Sequence, residues 1–249
     1  MSESADNIYE LDPRIYDEYI DTKLEKKNFD EVFKKVREQF SHKSQLKILD
    51  LCCGTGIFPR KWLINLTGIS YVGVDINKSF IEFAKNQLKG KNNFKFIVDD
   101  ATNVDLREQF DIVIATSSYH HIKDEEKRRY LNNINTHLKE EGVLIIYEKL
   151  VSKFKEPIGA VDSASKLYAE RIKYMLQTEK LTEKQLFALF NELYLSAIRK
   201  EEYKVSYEYL KEDLESTGFQ ITEEVKLWPK EDLFDDPKMG DFVIVAEKK

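Results

Sequence analysis

The sequence predicts an α/β protein built on a doubly wound parallel sheet with helices on both faces. Three observations carry that prediction. Five short apolar runs alternate with helical patterns in the first 150 residues, the order that builds parallel strands joined by crossover helices. The first run leads into a glycine-rich turn at residues 48–57, ILDLCCGTGI. The second ends in an acid at residues 72–75, VGVD. That spacing, about twenty residues, suits a carboxylate that accepts hydrogen bonds from a ribose diol.

The apolar runs are 46–51, 71–76, 94–98, 110–115 and 143–147. One helix is expected to begin near Lys78, bury Phe80, Phe83, Ala84 and Leu88, and stop at Gly90. A second takes Asp124 as its N-cap, spaces Leu131, Ile134 and Leu138 helically, and ends at Gly142. Residues 149–218 carry helix signals and no strand. Thr182 and Gln185 fit a capping box. Behind them Leu186, Phe187, Phe190, Leu193, Tyr194, Ala197 and Ile198 form an apolar arc wider than one buried stripe. A further helix spans 206–216 and stops at Gly218, and two strands, 219–226 and 241–247, close the chain. The organisation is a single domain, 1–249, with an N-terminal helical segment (1–44), a cofactor-binding core (45–148), a helical lid or insertion (149–218) and a closing β-hairpin (219–249).

Composition narrows the function. The chain has 249 residues, 42% hydrophobic content and a mean hydropathy of −0.51, which suits a soluble domain with a sizeable core. Its net charge of −6 disfavours a surface that tracks nucleic-acid phosphates. No apolar run approaches the ~20 residues of a membrane span. The acidic, polar start, MSESAD, is unlike a signal or transit peptide, and the expected location is cytoplasmic. Cys52 and Cys53 are the only cysteines. Adjacent in a turn, they build neither a disulfide framework nor a zinc site, and no metal-ligand spacing is visible elsewhere.

Gly54 and Gly56 let the backbone turn tightly and approach a ligand, while Asp75 ends the next strand. Together they describe a nucleoside-cofactor site. In order and spacing, the motifs over roughly residues 45–248 resemble the class I S-adenosylmethionine-dependent methyltransferases. The resemblance implies a Rossmann-like, seven-stranded sheet with an antiparallel last strand and a helical insertion between strands 5 and 6. It implies S-adenosyl-L-methionine as cofactor, with the turn of Cys52, Gly54 and Gly56 at its methionine end and Asp50 supporting that turn. Cysteine stands here in place of the family's first glycine. Asp75 takes the ribose hydroxyls and Ile76 packs on adenine. Asp100 accepts from the adenine amino group and the Ala101 N–H donates to the ring. The segment 114–122, from Ala115 to the His120–His121 pair, matches the motif that runs below the sulfonium. A weaker likeness at 15–20 makes Tyr16 and Tyr19 candidates to fold over the cofactor.

Methyl transfer needs alignment of the nucleophile and exclusion of water, and a base only where the nucleophile must lose a proton. His121, His120 and Glu148 are the candidates, in that order. The acidic charge, the aromatic-rich insertion and ATSS at 115–118, instead of an Asn/Asp-Pro-Pro-aromatic motif, favour a small organic acceptor over nucleic acid. The wide arc of 186–198 permits a homodimer through the insertion. Three alternatives stand beside this reading. A nicotinamide oxidoreductase wants a third glycine where Pro59 stands. Carboxy-S-adenosylmethionine synthases, similar in layout after Glu148 and Lys149, carry an arginine where this chain has Asp213. A non-catalytic methyltransferase-like binding protein is the third.

Overall fold

A computed structural model describes residues 12–40 and 44–249. The reading of residues 1–6 as unlike a leader lies outside the described residues. The chain runs α1 (Pro13–Ile20), α2 (Lys23–Phe40), β1 (Leu46–Leu51), β2 (Ile69–Asp75), α3 (Lys78–Gln87), β3 (Phe94–Val98), β4 (Phe110–Thr116), α4 (Lys127–His137), β5 (Leu138–Leu150), α5 (Pro157–Thr178), α6 (Glu183–Ile198), α7 (Tyr207–Ser216), β6 (Phe219–Trp228) and β7 (Gly240–Lys248). The seven strands form one sheet in the order β3-β2-β1-β4-β5-β7-β6. β1 to β5 are parallel, and β7 runs antiparallel between β5 and β6. The order reverses between β1 and β4, so their carboxyl ends open a crevice where ligands of such sheets bind.

Strands at the centre of the sheet are apolar along their length because both faces are covered. β4 is buried at every position. One face packs on α1, α2, α3 and α5 through residues such as Phe29, Val36, Ile81 and Leu167. The other packs on α4 and α7 through Leu131, Ile134, Leu210 and Leu214. The capping box at Thr182 forms in full, with the Thr182 hydroxyl accepting from the Gln185 N–H and the Gln185 side chain accepting from the Thr182 N–H.

Two expected boundaries move. The helix expected from Asp124 to Gly142 starts at Lys127 and ends at His137. Asp124 lies instead in a 3-10 turn and pairs with Lys127 and Arg199. Leu138 pairs with Phe110, and Gly142 lies inside β5, so strand pairing outweighs the helical spacing. β5 also continues to Leu150, two residues beyond the expected start of the insertion.

The insertion is tied down by buried charge. Arg171, on α5 and wholly buried, pairs with Glu25 of α2 and Asp241 of β7. Asn28 donates to Asp241 (2.8 Å) and to the Tyr147 hydroxyl (2.8 Å), which donates to Glu25 (2.9 Å). Lys149 adds a second cation 3.4 Å from both Glu25 and Glu192. Burial opposes ionisation of Glu25, but Lys149, Arg171 and two tyrosine hydroxyls outweigh it and lower its pKa to about 2. Replacing Arg171 with Met strips the buried Asp241 of its cation and leaves Glu25 with Lys149 alone. It is expected to cost about 3–5 kcal/mol, the range for breaking a buried ion pair from one side. Arg128→Met, which removes an exposed pair with Asp213, should cost under about 1 kcal/mol. Urea denaturation of the two variants measures the contrast.

Candidate active site

The turn after β1 is held open by its backbone. Cys52 has φ +64°, a left-handed conformation that glycine adopts freely and cysteine rarely. At Gly56, φ +66°, a Cβ would stand 2.9 Å from Ala84 Cβ and 3.0 Å from Phe96 Cε1, so α3 and β3 can close on the turn only over glycine. Burial raises both cysteine thiols well above their usual range, which leaves them protonated packing groups rather than nucleophiles.

Two carboxylates lie beneath the turn. Asp75 accepts the Gly54 N–H on Oδ2 and the Asn77 N–H on Oδ1, both at 2.8 Å. Each oxygen keeps a further acceptor position. Burial raises the Asp75 pKa despite those two bonds. Asp50 accepts from the Tyr71 hydroxyl (2.7 Å). Burial lifts its pKa to about 7, opposed by that hydrogen bond and helped by the charge of Asp75.

Around this centre, Ile76 is 74% exposed directly after Asp75, an apolar side chain at the mouth of a polar strand end. Asp100 accepts the Thr102 N–H (2.8 Å). Ala101 is buried, with its carbonyl accepting from Asn133 (3.0 Å). Ala115 is buried within β4, opposite Ile146. α1 docks on the turn through Asp17, which accepts from Thr55 Oγ1 (2.6 Å) and pairs with Arg60. The Tyr16 ring lies over Gly54, 3.7 Å from where a Cβ there would stand. Tyr19 takes a different position from the one expected. It is buried and donates to Glu25 (2.7 Å) and Glu192 (3.1 Å), inside the charge cluster rather than over the turn.

The segment after β4 is organised by Glu148. Its Oε1 accepts the Ser118 N–H (3.1 Å) and the Tyr119 N–H (2.8 Å), and its Oε2 lies 2.6 Å from His120 Nδ1. A carboxylate so bonded and buried is a scaffold for the turn, not the open acid the sequence suggests. Burial holds the His120 pKa well below the ordinary histidine range, helped by the Lys204 charge, so the ring is neutral. His120 Nε2 faces Glu202 Oε2 at 3.6 Å. His121, about a third exposed, lies with its ring tilted against His120, centroids 4.2 Å apart, and stands 2.8 Å from the Glu201 carbonyl and 3.9 Å from Glu202. Burial opposes ionisation of Glu202, but the Lys204 charge beside it outweighs that and lowers its pKa to about 2.

The sequence brings together the turn, Asp75 and the histidines but misses Glu202 and Lys204, about 80 residues from the histidines, and Asp17, Lys149 and Glu192. Each belongs to a helix, a strand end or a connecting segment whose partner is fixed only by packing. Sequence spacing carries no signal for them.

Residues 48–142 match a family described as a methyltransferase domain. Malonyl-[acyl-carrier protein] O-methyltransferase 1 of Ilyobacter polytropus is 27% identical over 152 residues, 59% of this chain and 56% of that protein. A demethylmenaquinone methyltransferase of Thermotoga maritima is 30% identical over 156 residues, 62% of each chain. The chain spans about half the length of the first curated relatives it matches, 56% and 46%. The crystal structure of an S-adenosylmethionine-dependent methyltransferase from Clostridium acetobutylicum aligns with a TM-score of 0.62. That alignment covers 94% of this chain and 96% of that one, at 15% identity, a likeness of fold.

The raised pKa of Asp50 makes a pH-dependent prediction. Its folded value lies above its ordinary one, so its contribution to stability is full below about pH 4 and is lost as pH rises through about 7. Asp50→Asn keeps an acceptor for Tyr71 without the charge. It should match the wild type near pH 4 and exceed it by on the order of 2 kcal/mol near pH 8. Urea midpoints at the two pH values test this; equal gains at both would sink it.

Proposed function

We propose that this chain, whose residues 48–142 match a methyltransferase domain, is a cytoplasmic, class I S-adenosylmethionine-dependent enzyme transferring a methyl group from S-adenosyl-L-methionine to a small organic acceptor. One observation carries the reading: the glycine-rich turn, the Asp75 carboxylate and the exposed Ile76 meet at the carboxyl ends of β1 and β2. They fit the cofactor, because an apolar surface directly beside a diol-binding carboxylate matches adenine beside ribose.

The turn of Cys52, Gly54 and Gly56 presents backbone to the methionine end, with Asp50 beneath it. Asp75 binds the ribose hydroxyls with its remaining acceptor positions and Ile76 covers adenine. Asp100 and Ala101 address the adenine edge, and Ala115 backs the reacting end. Tyr16 closes over the turn. Tyr19 contributes through Glu192 and Lys149 instead. Bound there, the sulfonium supplies an electrophilic methyl group. The chain's own part is to align the acceptor between the sheet edge and the insertion and to exclude water. The pair His120 and His121 helps the acceptor lose a proton, and Glu148 is their positioning residue.

The relatives named above are called a malonyl-[acyl-carrier protein] O-methyltransferase and a demethylmenaquinone methyltransferase, and neither name describes a nucleic-acid acceptor, which supports the reading. Among the described residues no helix is long and apolar enough to cross a membrane. On α6, Phe187, Phe190, Tyr194 and Ile198 are all exposed and share one face at helical spacing, which supports pairing of two copies through the insertion.

Asp75→Ala should weaken S-adenosylmethionine binding at least roughly tenfold, the cost of losing a charged hydrogen-bond partner. Calorimetry with S-adenosylmethionine and NADH in parallel tests the site; an unchanged affinity, or binding of NADH alone, contradicts it. Phe190→Asp should convert a dimer to a monomer in sedimentation equilibrium without altering cofactor affinity. A wild type that is monomeric at every concentration refutes the pairing.

A further inference from the structure

We infer that His120, His121 and Glu202 form a binding site for one divalent transition-metal ion, placed where the turn after β4 meets the helical insertion. The inference rests on the reading of the histidine pair as the acceptor-facing element, and it says how that pair works.

The three side chains each offer a ligand atom, and these atoms lie within 4.8 Å of one another. Tetrahedral coordination with bonds near 2.1 Å sets ligand atoms about 3.4 Å apart. His120 Nε2 and Glu202 Oε2 stand at 3.6 Å, and His121 Nδ1 and Glu202 Oε1 at 3.9 Å. These distances reach the two different oxygens of Glu202, and His121 Nδ1 stands 2.8 Å from the Glu201 carbonyl, so rotation of the partly exposed His121 ring, which turns a lone pair toward Glu202, completes the set.

The hydrogen bonds behind the ligands point the same way. Glu148 sits 2.6 Å from His120 Nδ1 and fixes the proton on that nitrogen, so the lone pair of Nε2 faces Glu202. A carboxylate behind a histidine, turning its other nitrogen outward, is the usual support of a metal-bound imidazole. Lys204 lies 2.9 Å from Glu202 Oε2, yet its ammonium makes no aligned hydrogen bond. It lies beside Oε2, the oxygen that faces His120, and leaves Oε1 on the His121 side as the ligand atom.

Two imidazoles and one carboxylate suit a borderline ion such as zinc, cobalt or manganese. Magnesium and calcium prefer oxygen ligands. Three protein ligands leave a coordination position open, the arrangement of catalytic rather than structural sites. His121 is the partly exposed member of the set, so an open position on its side suits an oxygen of the acceptor. A hydroxyl or enolisable carbonyl bound there gives up its proton to water more readily than in solution. The ion would also join the turn after β4 to the segment between α6 and α7.

The test is calorimetric titration of the full chain, stripped with chelator and dialysed, with Zn²⁺ and with Co²⁺. The Co²⁺ absorption spectrum serves as a second readout. We expect one ion per chain and an intense tetrahedral Co²⁺ band. His121→Ala and Glu202→Gln should each weaken binding at least tenfold, and Glu148→Gln by about 10–100-fold through His120. Lys204→Met should tighten it. Absence of stoichiometric binding, or binding undiminished in both ligand variants, overturns the inference. Titration of the same samples with S-adenosylmethionine separates the two readings. Cofactor binding without an ion defeats the metal site alone, whereas an ion held by these residues without cofactor binding defeats the methyltransferase reading and leaves the metal site standing.

Discussion

A guanidinium with no access to water joins segments more than 200 residues apart in the chain. Arg171 holds Glu25 and Asp241 together, and through Asn28 and Tyr147 the same contacts reach the centre of β5. The ledger for such a group is unforgiving: charges withdrawn from water are tolerated only when paired and fully hydrogen-bonded. Removing any member leaves another stranded. The N-terminal helices, the insertion and the reversed strand β7 therefore stand or fall together. Its benefit to stability over an apolar core of equal volume is small by general experience, so its value here lies in fixing one arrangement of these elements.

That arrangement determines the crevice. α1 touches the glycine-rich turn through Tyr16 and Asp17, while its other side holds α6 through Glu18, which accepts from Lys184 and, at its carbonyl, from Gln185. One short helix thus contacts both the proposed cofactor turn and the proposed acceptor cover. Any shift of the turn on ligand binding is felt at α6, because packed elements move as units rather than deform. The left-handed Cys52 belongs to the same economy. A residue held in a sparsely allowed conformation persists where its surroundings over-determine it, and here β2, β3 and α3 close on the turn.

Much of this was legible in the chain. The alternation of runs announced the parallel sheet, and the turn at 48–57 with Asp75 announced the crevice, because both depend on local spacing that a strand end imposes. The capping box at Thr182 formed as its residues required. The end of α4 was misread because helical spacing of Leu131, Ile134 and Leu138 continues through a position that pairing with Phe110 claims for β5. Tyr19 and Glu148 were placed on the right elements and given the wrong surroundings, since sequence records which residue ends a strand but not which donors surround it.

The sequence by itself determined the sheet, the strand-end turn and the identity of the residues after β2 and β4, because these follow from periodicity and backbone freedom within a few positions. Only the tertiary structure decided that Glu148 serves the turn as its anchor, that Tyr19 faces Glu25 and Glu192, and that Glu202 meets the histidine pair from about 80 residues away. Those contacts join segments whose separation along the chain carries no period, so nothing but the packing of the insertion on the sheet brings them together.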